Sequence, residues 1–542
     1  MSGRSRGLGV VCLAMAVVAT GGCEQPPRQT RGYVLISVDT LRADHLGVYG
    51  YGRDTSPFLD QLSERALVFE HAFSQFPGTL PSHMSMFTGL YPSEHGVFPP
   101  ASVLDEEVES LPAVFRRGGF RTAGYTEGGY MSGHWGFSRG FEQFSDRTAH
   151  MATDVEVTLE RAGSFLRGLE DGERFFLFIH TYAVHDPYFP PQRYRALFWD
   201  GEAPDTFAPT GPNLVEVNRG ERAVTRVAVD YYEALYDAGI RYVDDCLRDF
   251  FTLLDDLRLA SDTTVVLTSD HGEEFLDHGR LVHEQMYREL LHVPLIVVHP
   301  DLTSGRRIPA LTQSIDIAPT LYELAGIEDP PRMSGRSLVD VLEGESDRLR
   351  PDAYAEGGPI DRTLFLQRGE QLFQYLRFFP TTTPNGRWQS DSLELRVPSP
   401  RLELRVRSFY EPRRLTLSVA GEVISELDVE PTPRRVAVDL GLPDRTVKIE
   451  ADGCVVPAAV GVSADTRCLA FMVDHLDLGR AELYEIGSDP RETIDLTTID
   501  PELAERLRHR LKGYDDRVPV GARTTRELPP EVRRQLEALG YL

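Results

Sequence analysis

At 542 residues the chain is too long for one ordinary domain, so two or three folded units are expected. Its 57 Lys and Arg against 83 Asp and Glu give a formal charge of −26, which argues against a nucleic-acid partner, because phosphate backbones are gripped by basic faces. A hydrophobic content of 41% is ordinary for a globular protein and leaves ample material for a core.

The first segment reads as a processing signal. Arg4 and Arg6 precede a short apolar run, Gly7 to Ala19, and then Thr20-Gly21-Gly22-Cys23. The run is too short to span a bilayer as a stable helix, which predicts export with residues 1–23 as a signal peptide. Gly22-Cys23 resembles the lipobox of bacterial lipoproteins, in which the cysteine is lipidated and becomes the first residue. That resemblance implies membrane attachment through Cys23 and a place in the cell envelope, periplasmic or surface. Of the other cysteines, Cys12 lies in the signal and Cys246 reads as a lone helical thiol. Cys454 and Cys468 lie close together in a β-rich region and could pair outside the cytosol.

After a polar tether, Glu24 to Arg31, the run Tyr33-Val34-Leu35-Ile36-Ser37-Val38 is almost wholly apolar. It predicts a strand buried on both faces, as in a parallel sheet covered by helices. The strand ends at Asp39, and a carboxylate there lies where α/β sheets bind ligands. Thr55 to Phe69 predicts a helix with Phe58, Leu59, Leu62, Ala66 and Phe69 inward.

Gly78 to Gly89 offers a hydroxyl residue, a proline, then an apolar-periodic run closed by glycine. Pro81 suits a first helical turn, and Leu80, Met84 and Phe87 share one face. Thr79 is thus expected just before a helix N-terminus, where unpaired N–H groups favour an anion. Two roles fit that place: a simple N-cap, or an oxygen nucleophile attacking a charged ester.

Val114 to Tyr125 reads as a helix, Gly118-Gly119 and a strand. Phe175 to Ile179 predicts another buried strand, ending at His180, with His185-Asp186-Pro187-Tyr188 just beyond. Residues 225–258 predict a long helix. Thr264 to Thr268 predicts a buried strand ending at Ser269-Asp270-His271-Gly272, and Val293 to Val298 one more, before a helix from Ile317 to Ala325. This alternation predicts an α/β fold.

The pattern changes near residue 388. Leu402, Leu404 and Val406 alternate with charged residues, and Leu415, Leu417, Val419, Val436, Val438, Val447 and Ile449 keep the same period. These predict half-buried antiparallel strands of a sandwich or jelly roll. Helical pattern resumes at Pro501 to Leu511 and Pro530 to Leu539. The expected organisation is an α/β unit over 24–387, an all-β insert over 388–472, and a C-terminal part, 473–542, completing the α/β unit.

Asp39, Asp270, His271 and the Thr79 hydroxyl together make a candidate divalent-metal site. A metal shared with Thr79 would lower the hydroxyl's pKa and bind an ester oxygen. Ile36 to Tyr49, Thr79 to Pro92, Ser269 to Gly272 and Tyr287 to Val298, in that order, resemble the sulfatase family of the alkaline phosphatase superfamily. Ser314 to Leu321 and Glu482-Leu483-Tyr484-Glu485 through Asp489-Pro490 resemble its closing elements, so the likeness spans nearly all of 33–345 and 473–500.

The resemblance implies an alkaline phosphatase-like sheet flanked by helices and the activity of a sulfate or phosphate ester hydrolase. It implies Thr79 as nucleophile and metal ligand, with Asp39, Asp270 and His271 as the other ligands of one divalent ion, Ca, Mg, Mn or Zn. His185 matches the histidine that contacts the transferred group or protonates the leaving oxygen. His283 stands where many members place a substrate-binding lysine. Position 83 holds His83 instead of the usual arginine, making it a candidate substrate contact; His180 is either another such contact or a polar residue capping its strand. Position 79 is usually Cys or Ser, oxidised to formylglycine; threonine cannot give that aldehyde, so no formylglycine is expected. The second aspartate usual beside Asp39 is Thr40. Threonine nucleophiles occur in related phosphodiesterases, nucleotide pyrophosphatases and phosphoethanolamine transferases, and the Asp-His pair resembles phosphonate monoester hydrolases and choline sulfatases.

The expected function is therefore a metal-dependent hydrolase of small-molecule or glycan sulfate or phosphate esters. Two rivals are a phosphodiesterase or phospho-group transferase using Thr79, and an inactive glycan-binding surface lipoprotein.

Overall fold

The structure is a computed structural model that describes residues 30–538 apart from 147–154, 302–303, 358–360, 379–387, 391, 398–400, 433, 442–444, 461–467, 478–479 and 516–523. Residues 1–23, expected to be a signal, and Cys23 with them lie outside the described residues. Among the described residues no helix is long and apolar enough to cross a membrane.

The centre is an eight-stranded sheet. Its strands are β1 (Gly32–Val38), β2 (Leu67–Phe73), β3 (Arg121–Tyr125), β4 (Gln143–Ser145), β5 (Phe175–Thr181), β6 (Thr263–Thr268), β7 (Leu295–Val298) and β8 (Arg306–Gln313), in the spatial order β8-β2-β7-β6-β1-β5-β3-β4. Only β7 runs antiparallel to its neighbours in this sheet. All seven residues of β1 and of β5 are buried, as the unbroken apolar runs require of a sheet covered on both sides. Side chains alternate. Val34, Ile36 and Val38 join Leu177, Ile179 and Leu267 beneath the long helix Arg226–Asp256, whereas Tyr33, Leu35, Phe176 and Phe178 pack with Leu80, Met84 and Phe87 of the helix Thr79–Thr88. Each fully buried aliphatic side chain contributes about 1.5–3 kcal/mol, so β6, β1 and β5 form a rigid platform.

That platform places the site. In register, Ser37 of β1 sits beside His180 of β5 and Thr268 of β6. The three neighbouring strands thus deliver Asp39, His180 and Asp270-His271 to one edge.

Two expectations need correction. Thr55 to Phe69 is not one helix: helix Pro57–Ser63 stops at Glu64, and Leu67 to Phe73 is β2. Ala66 to Phe69 continues the apolar pattern, but a short apolar run does not separate a helix from a buried strand by period alone, and pairing with β7 and β8 decides it. Thr79 does not precede its helix; Gly78 is the N-cap and Thr79 opens the helix. Before residue 388, Asp352–Gly357, Asp361–Arg368 and Gln371–Phe378 form a separate antiparallel sheet closed by the late strand Arg480–Glu485.

From 388 onward two four-stranded antiparallel sheets pack face to face over a shared core that includes Val397, Leu404, Leu417, Val447 and Phe471. The last of their strands runs Phe471–Asp477, five residues past the expected limit of 472. Cys454 and Cys468 are joined by a disulfide, and Cys246 is a buried free thiol.

Candidate active site

Asp39 follows directly on β1, and its neighbour Thr40 takes a left-handed backbone, φ 56°, unusual for a β-branched residue. The turn is held from both sides. The Thr40 N–H donates to Asp270 Oδ1 at 3.2 Å, and the Tyr236 hydroxyl donates to the Thr40 carbonyl at 2.7 Å while accepting the Arg42 N–H at 2.8 Å. The chain after β6 is fixed by close approach: a Cβ on Gly272 would meet the Glu289 carbonyl oxygen at 1.8 Å, so only glycine fits.

Asp39, Asp270 and His271 bring one ligand atom each within 4.8 Å of one another, all fully buried. His271 Nδ1–H donates to the Gly272 carbonyl at 2.9 Å, which leaves the Nε2 lone pair facing the carboxylates. Nε2 lies 3.3 Å from Asp270 Oδ2, 3.9 Å from Asp39 Oδ1 and 3.5 Å from the Thr79 hydroxyl. Burial holds His271 down to about 4, so the ring is neutral at pH 7. Asp39 Oδ1 and Asp270 Oδ2 are buried without a hydrogen-bond partner. Burial, then the facing Asp270 carboxylate, hold the Asp39 carboxyl well above its ordinary range. Two orphaned carboxylate oxygens and one imidazole lone pair converging in a fully buried site fit a divalent cation.

His180 and His83 stand behind this group. His180 Nε2–H donates to Asp39 Oδ2 at 3.0 Å. His83 Nδ1–H donates to the Thr79 carbonyl at 2.9 Å, so its Nε2 accepts from the Ser37 hydroxyl, also at 2.9 Å. The two rings meet edge to face, 4.9 Å apart, and both residues are fully buried. These contacts orient Asp39 and the Thr79 backbone, and for His180 at the end of β5 that agrees with a polar residue capping its strand.

His185 and His283 lie on the other side. Their ring centroids are 5.3 Å apart, and the His283 ring is 4.7 Å from that of His271. His185 Nδ1–H donates to the Asp186 carbonyl at 2.6 Å. His283 Nδ1 is 3.3 Å from Glu273 Oε1. Burial depresses His283, but the Glu273 carboxylate outweighs it and the net shift is upward. Thr79, His271, His283 and His185 therefore form one continuous row.

Sequence reasoning missed Glu273, Ser37 and Tyr236. Glu273 had a signal, directly following Asp270-His271-Gly272. Tyr236 had none, being 196 positions from the carbonyl it holds.

A family model described as Sulfatase matches residues 31–327. Arylsulfatase K of Homo sapiens is 24% identical over 384 residues, 61% of this chain and 70% of that protein. A multifunctional alkaline phosphatase superfamily protein of Trinickia caryophylli is 26% identical over 415 residues, 60% of this chain and 80% of that one. The phosphonate monoester hydrolase of Agrobacterium radiobacter has a similar fold, with a TM-score of 0.59 and 17% identity over 90% of this chain and 95% of that one.

Proposed function

The chain belongs to the sulfatase family, as a hydrolase of sulfuric or phosphoric esters, and from that premise we propose that Thr79 is its nucleophile in a metal-dependent site. The observation carrying this reading is the Thr79 hydroxyl beside His271 Nε2 and the two orphaned carboxylate oxygens. A divalent cation held by Asp39, Asp270 and His271 would supply Lewis-acid activation and offset the negative charge gathered there.

Thr79 gives up its hydroxyl proton to water, and its Oγ attacks the sulfur or phosphorus, forming a covalent ester as the bond to the leaving oxygen breaks. His185 protonates that oxygen, and His283, raised by Glu273, binds an anionic oxygen of the transferred group. Water then hydrolyses the Thr79 ester. His83 and His180 keep Thr79 and Asp39 in place.

Threonine lacks the aldehyde hydrate that would expel the transferred group, so intermediate breakdown rests on attack at the central atom. This favours phosphate or phosphonate esters over sulfate esters. Assaying an aryl sulfate, a phosphate monoester and a phosphodiester side by side tests the ranking. Faster turnover of the sulfate refutes it.

The Gly22-Cys23 pair supports a lipid anchor in the cell envelope. Cys23→Ser should move the protein from membrane to soluble fraction, and identical partitioning of variant and wild type rejects the anchor.

A further inference from the structure

Away from Thr79, His278, Glu289 and Glu492 also bring one ligand atom each within 4.8 Å of one another. They come from three places: the loop after β6, the short helix Arg288–Leu291, and the turn following strand Arg480–Glu485. Glu289 and Glu492 are 7% and 3% exposed. His278 is stacked on Tyr287, centroids 3.6 Å apart and planes within 8°, with Nδ1 2.7 Å from Glu289 Oε1. Glu492 Oε2 accepts the Arg288 N–H at 3.0 Å.

That leaves two atoms over. Glu492 Oε1 and His278 Nε2 are both buried and have no hydrogen-bond partner. Glu289 and Glu492 also set two buried carboxylates close together, and like charges so placed are costly unless a cation lies between them.

We propose that His278, Glu289 and Glu492 form a second, structural divalent-cation site, separate from the one at Thr79. One imidazole with two carboxylates suits a zinc- or manganese-type ion better than calcium. The site brackets His283, which lies on the loop between His278 and Glu289. The ion would fasten both ends of that loop to the turn at Glu492, tying the candidate substrate-binding histidine to the C-terminal part of the chain.

The test is metal content per chain by mass spectrometry. Full-length wild type, Glu492→Gln, Asp270→Asn and the double variant are stripped with chelator, reloaded with zinc or manganese and desalted. Asp270→Asn should retain about one ion per chain, Glu492→Gln should hold about one fewer than wild type, and the double variant should hold none. Glu492→Gln keeps the side-chain shape and an oxygen for the Arg288 N–H; should it fail to fold, Glu289→Gln reads the same loss. A metal-free Asp270→Asn protein, or a Glu492→Gln protein with wild-type content, overturns the proposal. One ion lost to Glu492→Gln but untouched by Asp270→Asn would instead refute the cation at Thr79 and leave this site standing.

Discussion

The Thr79 hydroxyl lies 3.5 Å from His271 Nε2, the ring nitrogen that the Gly272 carbonyl does not occupy. Fixing Nδ1 as the donor leaves the Nε2 lone pair facing the Thr79 hydroxyl and the two carboxylates, the arrangement that the proposed cation site needs. Chelation should therefore abolish ester hydrolysis and divalent ion restore it. His271→Ala should cost at least about a hundredfold in kcat/KM. Full activity in the chelated protein would mean that the orphaned oxygens of Asp39 and Asp270 serve something other than a cation.

His283 carries a prediction of its own. Its bond to Glu273 shifts it toward the cationic form against the pull of burial, the charge that a lysine carries at the matching place in the resembling family. His283→Lys should keep activity within about tenfold, while His283→Ala should lose about a hundredfold, mostly through KM. Equal losses in the two variants would show that charge at this position is irrelevant.

Asp244, on the long helix, accepts the N–H groups of Phe58 and Leu59 at the start of helix Pro57–Ser63, at 2.8 and 2.9 Å. Burial pushes its carboxyl up to about 7, although those two bonds and Arg241 pull the other way. A folded-state pKa above the unfolded one means stability that is full below the ordinary carboxylate range and is lost as pH rises through 7. Asparagine can accept only one of the two N–H groups, a loss of about 1 kcal/mol, but does not ionise. The Tm deficit of Asp244→Asn should therefore be larger at pH 5 than at pH 8.5. A deficit that is constant or grows with pH contradicts the raised pKa.

Much of the fold was legible because buried parallel strands leave unbroken apolar runs, as Tyr33 to Val38 and Phe175 to Ile179 do. The same rule misled at Ala66 to Phe69, where a run too short to show its period was read as helix. Asp39, Asp270 and His271 were legible because each closes such a run. What pairs across the sheet was not. Ser37 accepts no obvious role until the register sets it beside His180, and His83 and His180 look outward-facing until their partners are seen. The His278, Glu289 and Glu492 cluster joins residues 203 and 214 positions from end to end (492 − 289 and 492 − 278), a distance no local pattern bridges.

The most direct test of the account is the kinetics of Thr79→Ala and Thr79→Ser on the best ester, with melting of each measured alongside. Gly78 is the N-cap, so Thr79→Ser should melt near wild type, and Thr79→Ala, which gives up the buried hydroxyl's contact with His271 Nε2, should lose no more than about 1–3 kcal/mol. Thr79→Ala should lose several orders of magnitude in rate, because a nucleophile acts as a unit with its activators. Thr79→Ser, which keeps the hydroxyl and gives up a methyl and some χ1 restriction, should retain measurable activity. A Thr79→Ala enzyme with near-normal turnover would contradict the claim that Thr79 is the nucleophile.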